Sequence, residues 1–429
     1  MTLSLGIDIG TSGIRTAVLD ADGTLVSMAR ADHLPQDPDR IEASKWWEAT
    51  CLCITRQIAA LAEVGRDGSE ITRIAIDGTS GSMVLTDEAL APVTRALMYN
   101  SKGFDDEAAA IATHAPPAHI TRGSNSALAR AMRLASEDEE SRARHLMHQA
   151  DFVAARLIGR GGLSDHNNAL KTGFDPETGE WPDWIGEAID PSVLPDPRPT
   201  GTPLDHVSRE VAARLGISPD ATVHAGTTDS IAAFIAAAPL RSGTAVTSLG
   251  STLAVKSLSP ARIDDAEIGL YSHRLGPVWL AGGASNTGGA VLAHFFTADA
   301  LADLSRHIDP NAPSGLDYYP LLSPGERFPF NDPSFPPRID PRPTSDALFL
   351  QGLLEGIAQI EARCYGALAE RGGRFPDVIY SAGGGAANAV FTHIRARALG
   401  LVPEPAPHGE AAIGAAKLAG GFALQDIAV

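Results

Sequence analysis

Residues 5–15 read LGIDIGTSGIR. Apolar residues at Leu3, Leu5, Ile7 and Ile9 alternate into a Gly-Thr-Ser-Gly turn, a sequence whose backbone N–H groups can approach a phosphate closely. Asp8 places a carboxylate where that phosphate would sit. A second strand follows rather than a helix, and the glycine spacing is wrong for a dinucleotide turn. No P-loop with Gly-Lys-Ser/Thr occurs. Two readings stay open. In one, Thr11 and Ser12 satisfy their own backbone in an ordinary hairpin that Asp8 terminates. In the other, Asp8 beside Thr11 and Ser12 holds the hydrated Mg²⁺ that a triphosphate brings. Arg15 either adds a positive charge there or points outward as a plain strand residue.

The chain has 429 residues, of which 44% are hydrophobic and 20% charged, so it can bury more than one core. At the usual domain size this predicts about two or three domains, and two large lobes are the starting expectation. A net charge of −18 argues against general nucleic-acid binding, which needs many cations to neutralise phosphates. Three cysteines give neither a disulfide framework nor a zinc site, and the thirteen histidines show no metal-ligand spacing. The N-terminus opens into a strand without a basic leader, and no apolar run reaches membrane-spanning length. A soluble cytoplasmic protein is expected.

Beyond the opening hairpin, Asp20-Ala-Asp-Gly23 reads as a strand turn, a helix begins near Ser44, and ITRIAIDG (71–78) reads as a strand. Strands alternating with helices imply a mostly parallel sheet covered by helices. After an Ala-rich run, GTAVTSLGSTLAVKSLSP (243–260) repeats the logic of strand, Gly-Ser-Thr turn and strand. That repetition puts a boundary near residue 240 and divides the chain into 1–239 and 240–429.

Further motifs carry paired readings. In HAGTTDSIAAF (224–234), Thr228, Asp229 or Ser230 could cap the helix, or Asp229 could be a general base for a substrate hydroxyl, with Gly226 letting the substrate approach. Gly383, Gly384 and Gly385 exceed what a strand-to-helix turn requires, which suits close passage of a flat ring or ribose. Gly414 and Ala415 read as helix packing. Ser80 lies either in a plain turn or at the mouth of the first lobe, and Glu326 with Arg327 reads as a loop ion pair.

Taken in order, D-x-G-T-S-x-x-R, Gly226 to Asp229, SLGST, GERFPFND, LLEGIA and GGGAAN with its downstream helix resemble the FGGY carbohydrate kinases over nearly the whole chain. The resemblance implies two ribonuclease-H-like lobes of the actin-like ATPase type around a central cleft, an α/β fold. It implies a kinase using ATP and Mg²⁺, with the sugar and catalytic base in the first lobe and the nucleotide in the second. Asp8 would organise the metal and adjoin the substrate, Thr11, Ser12, Gly13 and Arg15 would face the γ-phosphate, and Asp229 would be the base. Gly250, Ser251 and Thr252 would form a second phosphate loop. Gly383, Gly384, Gly385 and Asn388, with Phe391, would line the adenosine site, and Ser80 and Gly81 would contact the sugar.

The family's GQMHG-like and W-N-D-x-R segments are replaced here by GTSGSM and YNSKG. GTSGSMVLTD most resembles the small ribulokinase or xylulokinase-like branch and favours a pentulose, D-ribulose first. Xylulose, a polyol or glycerol are alternatives, as is an actin- or chaperone-like ATPase without a sugar substrate. The expected partners are ATP and a sugar, for a protein that acts alone or pairs with a second copy.

Overall fold

In the computed structural model, which describes residues 2–424 and 427, the opening stretch is a hairpin. Strand β1 (Leu3–Gly10) is buried from Leu3 through Ile9, as a central strand covered on both faces must be. It pairs antiparallel with β2 (Gly13–Leu19), which sets Asp8 opposite Arg15. The Asp20 carboxylate accepts from Asp22 N and Thr24 N at 2.9 Å and shapes the turn into β3 (Leu25–Ala31). Helix α1 (Ala43–Glu63) lays Trp46, Trp47, Ile54 and Leu61 against the sheet. It leads to β4 (Ile71–Gly78), which runs parallel to β1.

The strand Thr222–Thr228 adds in parallel beside β4, and Pro203–His206 closes the edge of a six-stranded sheet ordered β3-β2-β1-β4, then 222–228, then 203–206. Between β4 and these last strands the chain builds a smaller layer, where Met83–Thr86 pairs antiparallel with His145–His148 over a core that includes Leu128 and Ile185.

The chain divides into two compact units. The second is built on another six-stranded sheet with the same logic. Thr244–Leu249 and Leu253–Ser259 form an antiparallel hairpin, Val278–Ala284 pairs antiparallel with the latter, and Val378–Ala382 lies parallel to the former. The repeated beginning read near residue 240 is thus a repeated strand order. The long helix Asp346–Glu370 contributes Phe349, Leu353, Ile357 and Tyr365 to the core of this unit.

A division at residue 239 alone does not describe the chain, because residues 273–276 and 410–424 group with the first unit. Its helix Ala411–Gly420 packs small residues, Ala412 and Ala416, against Ala17 and Ala236. A Cβ at Gly414 would fall 1.8 Å from Ala232 O, so the expected packing role of Gly414 holds. The buried Ala415 lies on the same helix.

A fully buried ion pair ties the second unit together. Arg395 Nε and Nη2 donate to the two Glu361 oxygens at 2.7 Å, and its Nη1 donates to Ser381 Oγ at 2.7 Å. Glu361 also accepts from Thr247 Oγ1 at 2.5 Å. One pair therefore links two helices and two strands. Removing one member strands a buried charge, which costs about 3–5 kcal/mol. Arg395→Met is expected to lose stability of that order in denaturant unfolding. Replacing Glu361 and Arg395 together by apolar residues of similar volume should recover most of it, because the uncompensated charge is gone.

Candidate active site

Parallel register decides what gathers at one end of the first sheet. Asp8 on β1 pairs in register with Asp77 on β4, Asp77 pairs with Thr227 on the next strand, and Asp229 follows two residues later. Three carboxyl groups thus come from three adjacent strand ends, the position at which α/β sheets bind ligands. Asp77 is fully buried and neither of its oxygens meets a hydrogen-bond donor. Burial first, then the charges of Asp8 and Asp229, hold its carboxyl well above the ordinary range. Asp8 is 5% exposed, and burial pushes it up to about 6 against the lowering effects of Asp77 and Arg15. The sequence reading missed Asp77. The shared Ile-Asp of Ile7-Asp8 and Ile76-Asp77 gains meaning only from the pairing of β1 with β4.

Arg15 points into the site. Its Nη1 lies 3.4 Å from Asp8 Oδ2, its Nε 3.3 Å from Glu410, and its Nη2 donates to Ser12 Oγ at 3.2 Å. Glu410, far along the chain, was also missed. Thr11 and Ser12 are exposed at the turn, and Gly13 closes it in the register partner of Gly10.

Asp229 opens the helix Asp229–Ala237 and is half-buried, with Oδ1 accepting from Ser230 N at 2.6 Å. The buried hydroxyl of Thr228 meets no partner, so it does not cap this helix. Asn167 Nδ2 donates to Thr227 Oγ1 at 3.0 Å and steadies the strand end that presents Asp229. Gly226 does not serve substrate approach as expected. A Cβ there would lie 1.7 Å from Ile76 O, so the glycine is required where this strand closes on β4.

Ser80 is half-buried and Gly81 buried in the turn after β4. Below them Arg130, 2% exposed, donates to the carbonyls of Gly81, Tyr99 and Asn125. It has no acidic partner there, and burial lowers it to about 10. This guanidinium clasps three loops, and one of them brings Tyr99 OH to 3.4 Å from Thr11 Oγ1.

The second unit carries a cavity of about 830 Å³. Gly250, Ser251, Gly384, Gly385, Asn388 and Phe391 line it, whereas Thr252 and Gly383 do not. Gly383 has φ +87° and its Cβ would lie 2.7 Å from Leu249 O, so the first glycine of the triplet is required by the fold. Gly384 has open space around it, as close passage of a ligand needs. The opposite wall, Leu301, Ala302 and Ser305 on the helix Ala298–Ser305, was not foreseen, because an apolar helix reads as core. Glu326 is no loop ion pair. It is 2% exposed and accepts from Ser285 Oγ, Tyr319 OH and Asn286 N at 2.6 to 2.7 Å, anchoring the loop that leads to Gly289 on the cavity rim.

The acidic row suits a divalent cation that arrives with phosphate. Mg²⁺ is commonly held by one or two carboxylates plus substrate oxygens and water, and Asp8 supplies one, beside Asp77, whose carboxyl burial holds well above the ordinary range. Among the described residues, no group of three or more His, Cys, Asp or Glu could hold a metal ion by itself. No helix among them is long and apolar enough to cross a membrane.

Two units of this topology, one ending its strands in carboxylates and the other enclosing a glycine-rimmed cavity, have the architecture of a carbohydrate kinase. The chain belongs to the FGGY family of carbohydrate kinases: the family's N-terminal domain model matches residues 3–236 and its C-terminal domain model residues 245–422. It is 23% identical over 284 residues to a xylulose kinase of Lactococcus lactis, covering 64% of this chain and 57% of that protein. It is 22% identical over 360 residues to a gluconokinase of Bacillus subtilis, covering 77% and 69% respectively. The solved xylulose kinase of Rhodospirillum rubrum shares the fold with a TM-score of 0.83 at 22% identity, over 99% of this chain and 91% of that one.

Crowding of carboxyls has a pH signature. The folded Asp8 carboxyl, at about 6, lies above its ordinary 3.8, so the folded state binds more protons between those values. Stability therefore falls as pH rises through that window. Asp8→Asn, in metal- and nucleotide-free buffer, should exceed wild type at pH 8 by up to about 3 kcal/mol, at about 1.4 kcal/mol per pH unit. The difference should shrink towards pH 4. Denaturant unfolding at the two pH values checks it, and a variant less stable than wild type at pH 8 would contradict it.

Proposed function

We propose that this protein transfers the γ-phosphoryl group of ATP to a hydroxyl of a pentulose, D-ribulose first, with Asp229 accepting the hydroxyl proton. The observation that carries the reading is the parallel register that sets Asp8, Asp77 and Asp229 at adjacent strand ends. Phosphoryl transfer asks a protein mainly for positioning and charge stabilisation, not covalent chemistry. Thr11, Ser12 and Gly13 present the turn to the γ-phosphate, and Arg15 supplies positive charge beside it. Mg²⁺, held by Asp8, would supply neutralisation of the developing charge on the phosphate oxygens.

The cavity of the second unit serves as the ATP site in this reading, with Gly250 and Ser251 on the phosphate side and Gly384, Gly385, Asn388 and Phe391 on the adenosine side. Ser80 and Gly81, held by Arg130, meet the sugar. GTSGSMVLTD supports D-ribulose. The relatives called xylulose kinases favour D-xylulose as the second candidate.

A coupled ADP-release assay across ribulose, xylulose, ribitol, fructose, gluconate and glycerol tests the substrate, with ribulose expected to give the highest kcat/KM. Asp229→Asn should lower sugar-dependent ADP release by about 10²–10⁴-fold, the range of general-base catalysis, while calorimetry still detects ADP binding. Unimpaired turnover would remove Asp229 from the role of base. ATP hydrolysis indifferent to every sugar would revive the ATPase alternative.

A further inference from the structure

The cavity of the second unit, if it is the nucleotide site proposed above, is poorly equipped to tell one purine from another. Discrimination between base edges rests on groups that offer hydrogen bonds in a fixed direction, and polar side chains are the strongest of these. Four lining residues have polar side chains: Ser251, Ser305, Arg306 and Asn388. Asn388 caps the helix Ala389–Leu399, its Oδ1 accepting from Phe391 N at 3.1 Å, and its Nδ2 donates to Ser305 Oγ at 2.9 Å. One N–H and the oxygen of the carboxamide are thereby engaged by the protein, and Ser305, 6% exposed, is the acceptor of that N–H. Arg306 turns to Asp303, Nη2 to Oδ1 at 2.6 Å, with its side chain 71% exposed. Ser251 belongs to the glycine loop between two strands, on the side read as the phosphate loop. The rest of the lining is alanine, leucine, valine, phenylalanine and glycine, so the cavity is predominantly apolar.

We propose that this cavity holds its nucleotide by shape and apolar contact and accepts guanine and hypoxanthine nucleotides alongside adenine ones, so that GTP and ITP also serve as phosphoryl donors. The transfer itself is indifferent to the base. The bond between the β,γ-bridging oxygen and the γ-phosphorus breaks, the sugar oxygen forms its bond to that phosphorus, the hydroxyl proton passes to Asp229, and the nucleoside diphosphate leaves. Apolar pockets discriminate between similar ligands by about 10–100-fold, whereas sites built on hydrogen bonds reject a mismatched ligand by about 10⁴–10⁵-fold.

Displacement of a fluorescent ribose-labelled ADP from the full-length protein by ADP, GDP and IDP tests this without a sugar. Dissociation constants within about tenfold of one another are expected for an apolar site. GDP and IDP weaker than ADP by about 10³-fold or more, with ADP binding intact, would overturn the inference and leave the nucleotide site standing. Failure of labelled ADP to bind at all would sink the nucleotide reading, and this inference with it.

Discussion

The catalytic reading of this protein depends on one constraint, the parallel pairing of β1 with β4 and of β4 with the strand 222–228. Adjacent parallel strands lie about 4.8 Å apart, so acidic residues at matched positions are forced into each other's field. Sheet hydrogen bonding and the packing of Ile7, Ile9, Ile74 and Ile76 beneath them hold three carboxyls where their mutual repulsion and desolvation oppose folding. The first unit accepts that cost at one end of its sheet and offsets part of it with Arg15, which reaches both Asp8 and Glu410. Such conflict between local stability and overall fold is expected where a site must receive an external cation or phosphate.

The second unit uses the same strand order to a different end. Where the first carries a carboxylate on its leading strand, the second buries Thr247, whose hydroxyl donates to Glu361, the partner of Arg395. That pair ties two helices to the strand preceding the glycine triplet, while the cavity lining stays mostly apolar. One unit therefore presents charge and the other presents shape.

Local patterns carried much of this into the sequence. The alternation of Leu3, Leu5, Ile7 and Ile9, the Asp-Ala-Asp-Gly turn and the repeated strand-turn-strand near residue 240 all reflect short-range geometry and appear in the fold as expected. What escaped was lateral or distant. Asp77 becomes notable only once β4 is known to lie beside β1, and Glu410 and the helix 411–420 return to the first unit from more than a hundred and fifty residues beyond the expected boundary at 239. Gly226 was misread because a glycine that admits a neighbouring strand is spelled the same way as one that admits a ligand. Glu326 beside Arg327 looked like a surface pair because adjacency in sequence says nothing of burial.

The central claim is that the carboxylate row of the first unit is where a sugar hydroxyl meets the phosphoryl group. A crystal structure of the protein with its sugar, ADP and Mg²⁺ tests it most directly. The account predicts a sugar hydroxyl within about 2.6–3.2 Å of the Asp229 carboxylate, beside Ser80 and Gly81, with the metal next to Asp8. A sugar bound away from Asp229, or a metal without contact to Asp8 directly or through its water, would contradict it.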